Sequence, residues 1–114
     1  MVECKIGGNV TTHDALTYSS KAATHKQVHP YLRYGFLAGE RKHHAIPPRL
    51  VKHGAHFDFM ATWCAAEPTR AEWKEFCALV KEEIEASRLL QELLKNRSTA
   101  RTKYSILHRP LVLK

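Results

Sequence analysis

At 114 residues, 44% apolar and 25% charged, the chain has the make-up of one small globular domain with room for a single modest core. No apolar run reaches the length of a membrane-spanning helix, and the opening residues lack the basic-then-apolar order of a secretory leader, so a soluble, cytoplasmic domain is expected. The formal charge of +7 is uneven: residues 1–66 hold 8 Lys/Arg against 4 Asp/Glu, 67–92 hold 4 against 7, and 93–114 hold 6 against none. A basic front and tail around an acidic middle suit a polyanionic partner. Cys4, Cys64 and Cys77 form an odd set without CxxC spacing, which fits buried thiols in a reducing compartment better than a disulfide frame or a zinc site.

The first element is a strand, Val2 to Ile6, closed by Gly7-Gly8. Asn9 to Ser20 is rich in Ser and Thr and reads as a polar loop or frayed helix. Helical spacing of Ala22, Val28, Tyr31 and Leu32 predicts a helix from about Lys21 to Tyr34, with Pro30 kinking it or starting its second part. Gly35 ends it, and Phe36-Leu37-Ala38 is a short buried strand. Glu40 to His44 is a charged turn, Pro47-Pro48 opens a short helix or coil through Lys52, and Gly54 closes that piece. His56 to Trp63 alternates and is rich in aromatics, a third strand. Thr69 and Glu72 have capping-box spacing at the head of a long helix, Thr69 to Asn96. Its apolar stripe runs through Trp73, Phe76, Cys77, Val80, Ile84, Leu90 and Leu94. Pro110 to Leu113 could form a terminal edge strand. Trp63 and Trp73 read as core residues.

Successive strand side chains point to opposite faces, so Glu3 and Lys5 share one face of the first strand, and Val2, Cys4 and Ile6 share the other. A carboxylate beside an ammonium is what a magnesium-dependent nuclease uses. The carboxylate holds a hard cation through oxygen, while the lysine activates water and offsets phosphate charge. The same spacing also arises as a plain surface ion pair.

With Glu3-Cys4-Lys5 as its (D/E)-x-K element, and Thr24 to Ala38 as the helix and strand behind it, the chain resembles the C-terminal half of the PD-(D/E)XK nuclease fold, the superfamily of many type II restriction endonucleases. The resemblance implies an α/β fold: a small mixed sheet with flanking helices, a restriction-endonuclease-like core and a long C-terminal helix. Residues 1–114 then read as a single domain, the C-terminal part of a nuclease domain. It implies Glu3 and Lys5 as catalytic residues, Mg²⁺ as cofactor held by Glu3 and the Cys4 carbonyl, double-stranded DNA as substrate, and a homodimer by analogy. In the family an Asp on an earlier strand completes the metal site. This chain begins two residues before Glu3, so the expectation is a fragment, weak or inactive alone, or substitution by Asp14 or Asp58. Asp14 falls in the polar loop; Asp58 is expected to face solvent or cap a turn.

The resemblance further implies that residues after the catalytic strand approach DNA. Asn9, Thr11, Thr12, His13, Tyr18, Ser19, Ser20 and Lys21 carry the hydroxyls, amides and cations that contact phosphates, and Lys26 and Gln27 lie on the following helix. Lys95, Arg97, Arg101 and Lys103 form the densest basic cluster, a phosphate track or a solvated helix end. Of the 8 histidines, His25 and His29 have chelating spacing, with His43-His44 and His53-x-x-His56 as further donors, so a small zinc protein is a third reading. The main rival to the nuclease is a non-catalytic nucleic-acid-binding module in which Glu3 and Lys5 are an incidental pair.

Overall fold

The computed structural model describes residues 1–41, 45–96, 103–104 and 111–114. Its elements run β1 (Val2–Ile6), α1 (Thr12–Val28), β2 (Gly35–Gly39), α2 (Pro48–His53), β3 (Phe59–Thr62) and α3 (Arg70–Asn96). The sheet has the order β1-β2-β3, and both pairings are parallel. The expected mixed sheet is therefore corrected to a parallel one. A helix stands between each strand and the next, and such a crossover returns the chain to the same end of the sheet.

Register divides the sheet into two faces. Glu3, Phe36 and Met60 lie abreast, as do Lys5, Ala38 and Thr62, on the face toward α1 and α2. Here Phe36, Ala38 and Leu50 meet Val10, Ala15, Ala22, Tyr34 and Phe57 in the buried core. Burying side chains such as Phe36 and Leu50 stabilises the fold by about 1.5–3 kcal/mol each. The other face carries Val2, Gly35, Leu37, Phe59 and Trp63 toward α3, with Phe76 set edge-on to the Trp63 ring at a centroid distance of 5.8 Å. Gly35 is needed for contact: a Cβ there would lie 2.1 Å from the Phe59 ring.

Several expectations shift. The stretch Asn9 to Ser20 is mostly helix, because Thr11 caps α1: its hydroxyl accepts the Asp14 N–H at 3.0 Å, and the Asp14 carboxylate accepts the Thr11 N–H at 2.9 Å. α1 ends at Val28, ahead of Pro30, since the residue before proline is pushed out of helical geometry. The third strand is only Phe59–Thr62. Trp63 is buried as expected, but Trp73 is half exposed. Within the expected apolar stripe of α3, Phe76, Val80 and Leu90 are partly covered while Cys77, Ile84 and Leu94 are exposed. The cysteines are not buried: Cys4 and Cys77 are exposed and Cys64 is intermediate. Of the terminal edge strand, Pro110 lies outside the described residues, and Leu111 to Leu113 are exposed without secondary structure. Among the described residues no helix is long and apolar enough to cross a membrane.

Candidate functional site

β1 is an edge strand, and its polar face lies under α1. Glu3 and Lys5 are thus partly covered, as is Val2, while Cys4 and Ile6 on the apolar face are exposed. Each candidate meets α1. Lys5 Nζ donates to Asp14 Oδ2 at 2.5 Å. Glu3 Oε1 accepts from Lys21 Nζ and from the Tyr34 hydroxyl, both at 2.6 Å. Helix and strand together therefore place two carboxylates and two lysines on one side of the sheet. Asp14 is not in a loop; its place in the first turn of α1, fixed by the capping box, is what aims it at Lys5.

The electrostatics keep both acids charged. The Lys5 ammonium, helped by the Thr11 amide, holds the Asp14 carboxyl down at about 2. Lys21, and then the Tyr34 hydroxyl, lower that of Glu3. Burial, with the Glu3 carboxylate beside it, keeps the Tyr34 phenol protonated far above its ordinary range, so it acts as a donor.

Carboxylate and carbonyl oxygens are the donors that hard divalent cations take. The lysine and tyrosine bonds use Glu3 Oε1 and Asp14 Oδ2, leaving Glu3 Oε2 and Asp14 Oδ1 outside these contacts. Met1 N donates to Arg33 O, Gly35 N to Met1 O and Gly7 N to Gly39 O, so the odd-numbered residues of the first segment bond to β2. Alternate residues of a strand serve opposite neighbours, which turns the Cys4 carbonyl to the open edge, where a cation can accept its oxygen. Among the described residues no three His, Cys, Asp or Glu side chains gather into a metal-binding group, so such a cation would need the carbonyl and water besides the two carboxylates.

The other expected contact residues separate. His13, Ser20, Lys21 and Gln27 follow helical spacing along the exposed side of α1, with Thr17 and Thr24, which the sequence reading missed, between them. The 3–4-residue spacing of Thr17, Ser20 and Thr24 was the available signal. Thr11 is the cap and Thr12 lies in the first turn. Tyr18 packs on Phe36 at 5.7 Å, with Lys21 Nζ 5.8 Å from its ring centre. Ser19 is buried, and its hydroxyl accepts the His56 N–H at 3.2 Å, which removes it from any contact surface. Asn9 stands exposed in the β1–α1 connection.

Asp58 is corrected most. It does not face solvent: its side chain is 6% exposed and accepts from Lys26 Nζ at 2.7 Å, Arg33 Nη1 at 3.3 Å and the Tyr34 N–H at 2.7 Å. Arg33 Nε in turn donates to Glu83 Oε2 at 2.6 Å. This buried chain of charges joins α1, the entries to β2 and β3, and α3. It commits Asp58 to structure and engages Lys26, expected to contact DNA, in a partly covered ion pair. Of the histidines, His25 stacks on Tyr34 and His29 ends α1. His43, His44, Arg97, Arg101 and Arg109 lie outside the described residues.

Searches against protein-family models, curated proteins and solved structures return no match to this chain, so its functional reading rests on its own residues.

Proposed function

We propose that this chain is a magnesium-dependent endonuclease domain acting on double-stranded DNA, of the restriction-endonuclease-like kind, with Glu3, Asp14 and the Cys4 carbonyl as cation ligands. The observation that supports this reading most is the placement of Asp14: α1 brings a second carboxylate to the lysine that shares a strand face with Glu3. Magnesium, when bound, supplies an acidified water and polarises the phosphoryl oxygen. The chain's own residues do the rest. Glu3 and Asp14 stay ionised at neutral pH and offer their outer oxygens. Lys5 is oriented by Asp14 and presents its remaining N–H groups to a phosphate oxygen or to the attacking water. Tyr34 fixes the Glu3 carboxylate from beneath. In this reading the exposed side of α1 follows the DNA backbone, the protein resides in the cytoplasm, and two copies act on a symmetric site.

The rival reading is a nucleic-acid-binding module without catalysis. It is favoured by the fact that Glu3 and Lys5 each already have an α1 partner, so the pair can serve only to clamp helix to strand. Calorimetric titration with MgCl₂, together with magnesium-dependent nicking of supercoiled DNA, separates the two. The nuclease reading expects saturable binding and nicking, both lost in Glu3→Ala, and nicking lost in Lys5→Ala. Duplex binding with neither magnesium response would leave the binding module as the function.

A further inference from the structure

A second feature lies at the C-terminal end of the parallel sheet. Asn9, Val10, Arg41, Pro47, Pro48 and Arg49 line a cleft of about 240 Å³. Asn9 follows the Gly7-Gly8 turn, whose two glycines have φ of 80° and 70°, a bend that carries the chain abruptly out of β1. Arg41 is held at the exit of β2 by its N–H, which donates to Trp63 O at 3.3 Å. Arg49 projects from α2, and Pro47 and Val10 are buried beneath. In open parallel sheets this end is where ligands bind.

The chemistry of the lining is one-sided. Two guanidinium groups and a carboxamide line the cleft, and no carboxylate does so among the described residues. Arg41 Nε is buried and has no hydrogen-bond partner among the described residues. Arg41 as a residue is half-buried and lines the cleft, so its guanidinium charge is available to an anion there. Guanidinium forks match the oxygens of phosphate, and the volume admits a phosphate group with water.

We infer that this cleft is a phosphate-binding site in which Arg41, Arg49 and Asn9 grip a phosphodiester of a nucleic-acid backbone. The inference rests on the nucleic-acid part of the function proposed above and is independent of cleavage. It also adds two contacts, Arg41 and Arg49, that no motif in the sequence marks.

The test is fluorescence anisotropy with a labelled duplex in EDTA across a range of salt, for the parent, Arg49→Gln, Asn9→Asp and Arg41→Lys. Arg88→Gln on the exposed side of α3 serves as control, and circular dichroism checks that each variant is folded. Arg49→Gln, which removes one phosphate contact, should weaken binding about tenfold at low salt and flatten the log–log salt slope by roughly one. Arg41→Lys keeps the charge but loses the fork, and should weaken binding with the slope little changed. Asn9→Asp, which places a carboxylate in the cleft without removing a core contact, should weaken binding at least as much, and Arg88→Gln should leave it unchanged. Pyrophosphate is titrated in parallel. Duplex affinity that falls in the cleft variants supports the site whether or not pyrophosphate binds. Pyrophosphate binding that depends on Arg49 with duplex affinity unaffected would reassign the cleft to a free phosphate compound and overturn the inference. Cleft variants that match Arg88→Gln would overturn it as well. Because EDTA removes magnesium chemistry, failure here leaves the nuclease reading standing, and failure of nicking leaves the cleft standing.

Discussion

Replacing Asp58 with alanine tests whether this carboxylate is a strut of the fold or a spare metal ligand. The side chain is 6% exposed and meets Lys26, Arg33 and the Tyr34 amide. Orphaning a buried charge costs about 3–5 kcal/mol, and a hydrogen bond to a charged acceptor contributes about 1.5–3 kcal/mol. Two features reduce the first figure. Lys26 keeps the His56 carbonyl at 2.8 Å and reaches water, and Arg33 keeps Glu83 at 2.6 Å. The expected loss is therefore about 3 kcal/mol, which at about 4 °C per kcal/mol for a domain of this size lowers Tm by roughly 12 °C. Asp58→Asn keeps an acceptor for the Tyr34 amide and should cost roughly half as much. Urea unfolding monitored by Trp63 and Trp73 fluorescence reads both values. Adding Glu83→Ala to Asp58→Ala strips Arg33 of both carboxylates, so the double variant should lose about 1–2 kcal/mol more than the two single losses together. A loss in Asp58→Ala below about 0.5 kcal/mol, or strict additivity in the cycle, would refute the idea that this network is buried and structural.

Three further outcomes are expected. Asp14 titrates at about 2 in the folded chain, below the ordinary carboxyl value, so its contribution is complete above about pH 4 and disappears as pH falls toward 2. Because Asp14 and Lys5 are both partly solvated, that contribution is set at about 1 kcal/mol, and the stability gap between the parent and Asp14→Asn should close over this interval in acid titrations of unfolding. Gly35→Ala drives a methyl into the Phe59 ring and should cost about 2–3 kcal/mol in the same unfolding assay, while Gly8→Ala meets no neighbour and is limited to its backbone strain. Tyr34→Phe removes a donor from Glu3 without opening a cavity and should cost about 1 kcal/mol, with a matching rise in the Glu3 pKa followed by carboxyl NMR.

Much of this protein was legible from local chemistry. Gly7-Gly8 marks the end of β1, Thr69 marks the head of α3 through its hydroxyl on the Glu72 amide, and the aromatic run before Trp63 marks β3. Those signals act over a few residues and need no partner elsewhere in the chain. α1 was harder to see because it buries small residues, Ala15, Ser19 and Ala22, which let it lie close on the sheet without a stripe of large apolar side chains. Its capping pair, Thr11 and Asp14, is the local signal that marks its start.

What the sequence could not supply was direction. Period-two alternation groups Glu3 with Lys5 but does not say which face α1 will cover, and that choice gave each a separate partner, Lys21 and Tyr34 for Glu3 and Asp14 for Lys5. Asp58 and Glu83 are 25 residues apart and meet through Arg33, a further 25 residues upstream of Asp58, so no local pattern marks them as partners. Asn9 likewise shares a cleft with Arg41 and Arg49 because β1 and β2 run parallel and end together. Composition and spacing determined the elements and the basic character of the chain; the long-range contacts, which depend on how crossovers return each strand, decided which charges meet.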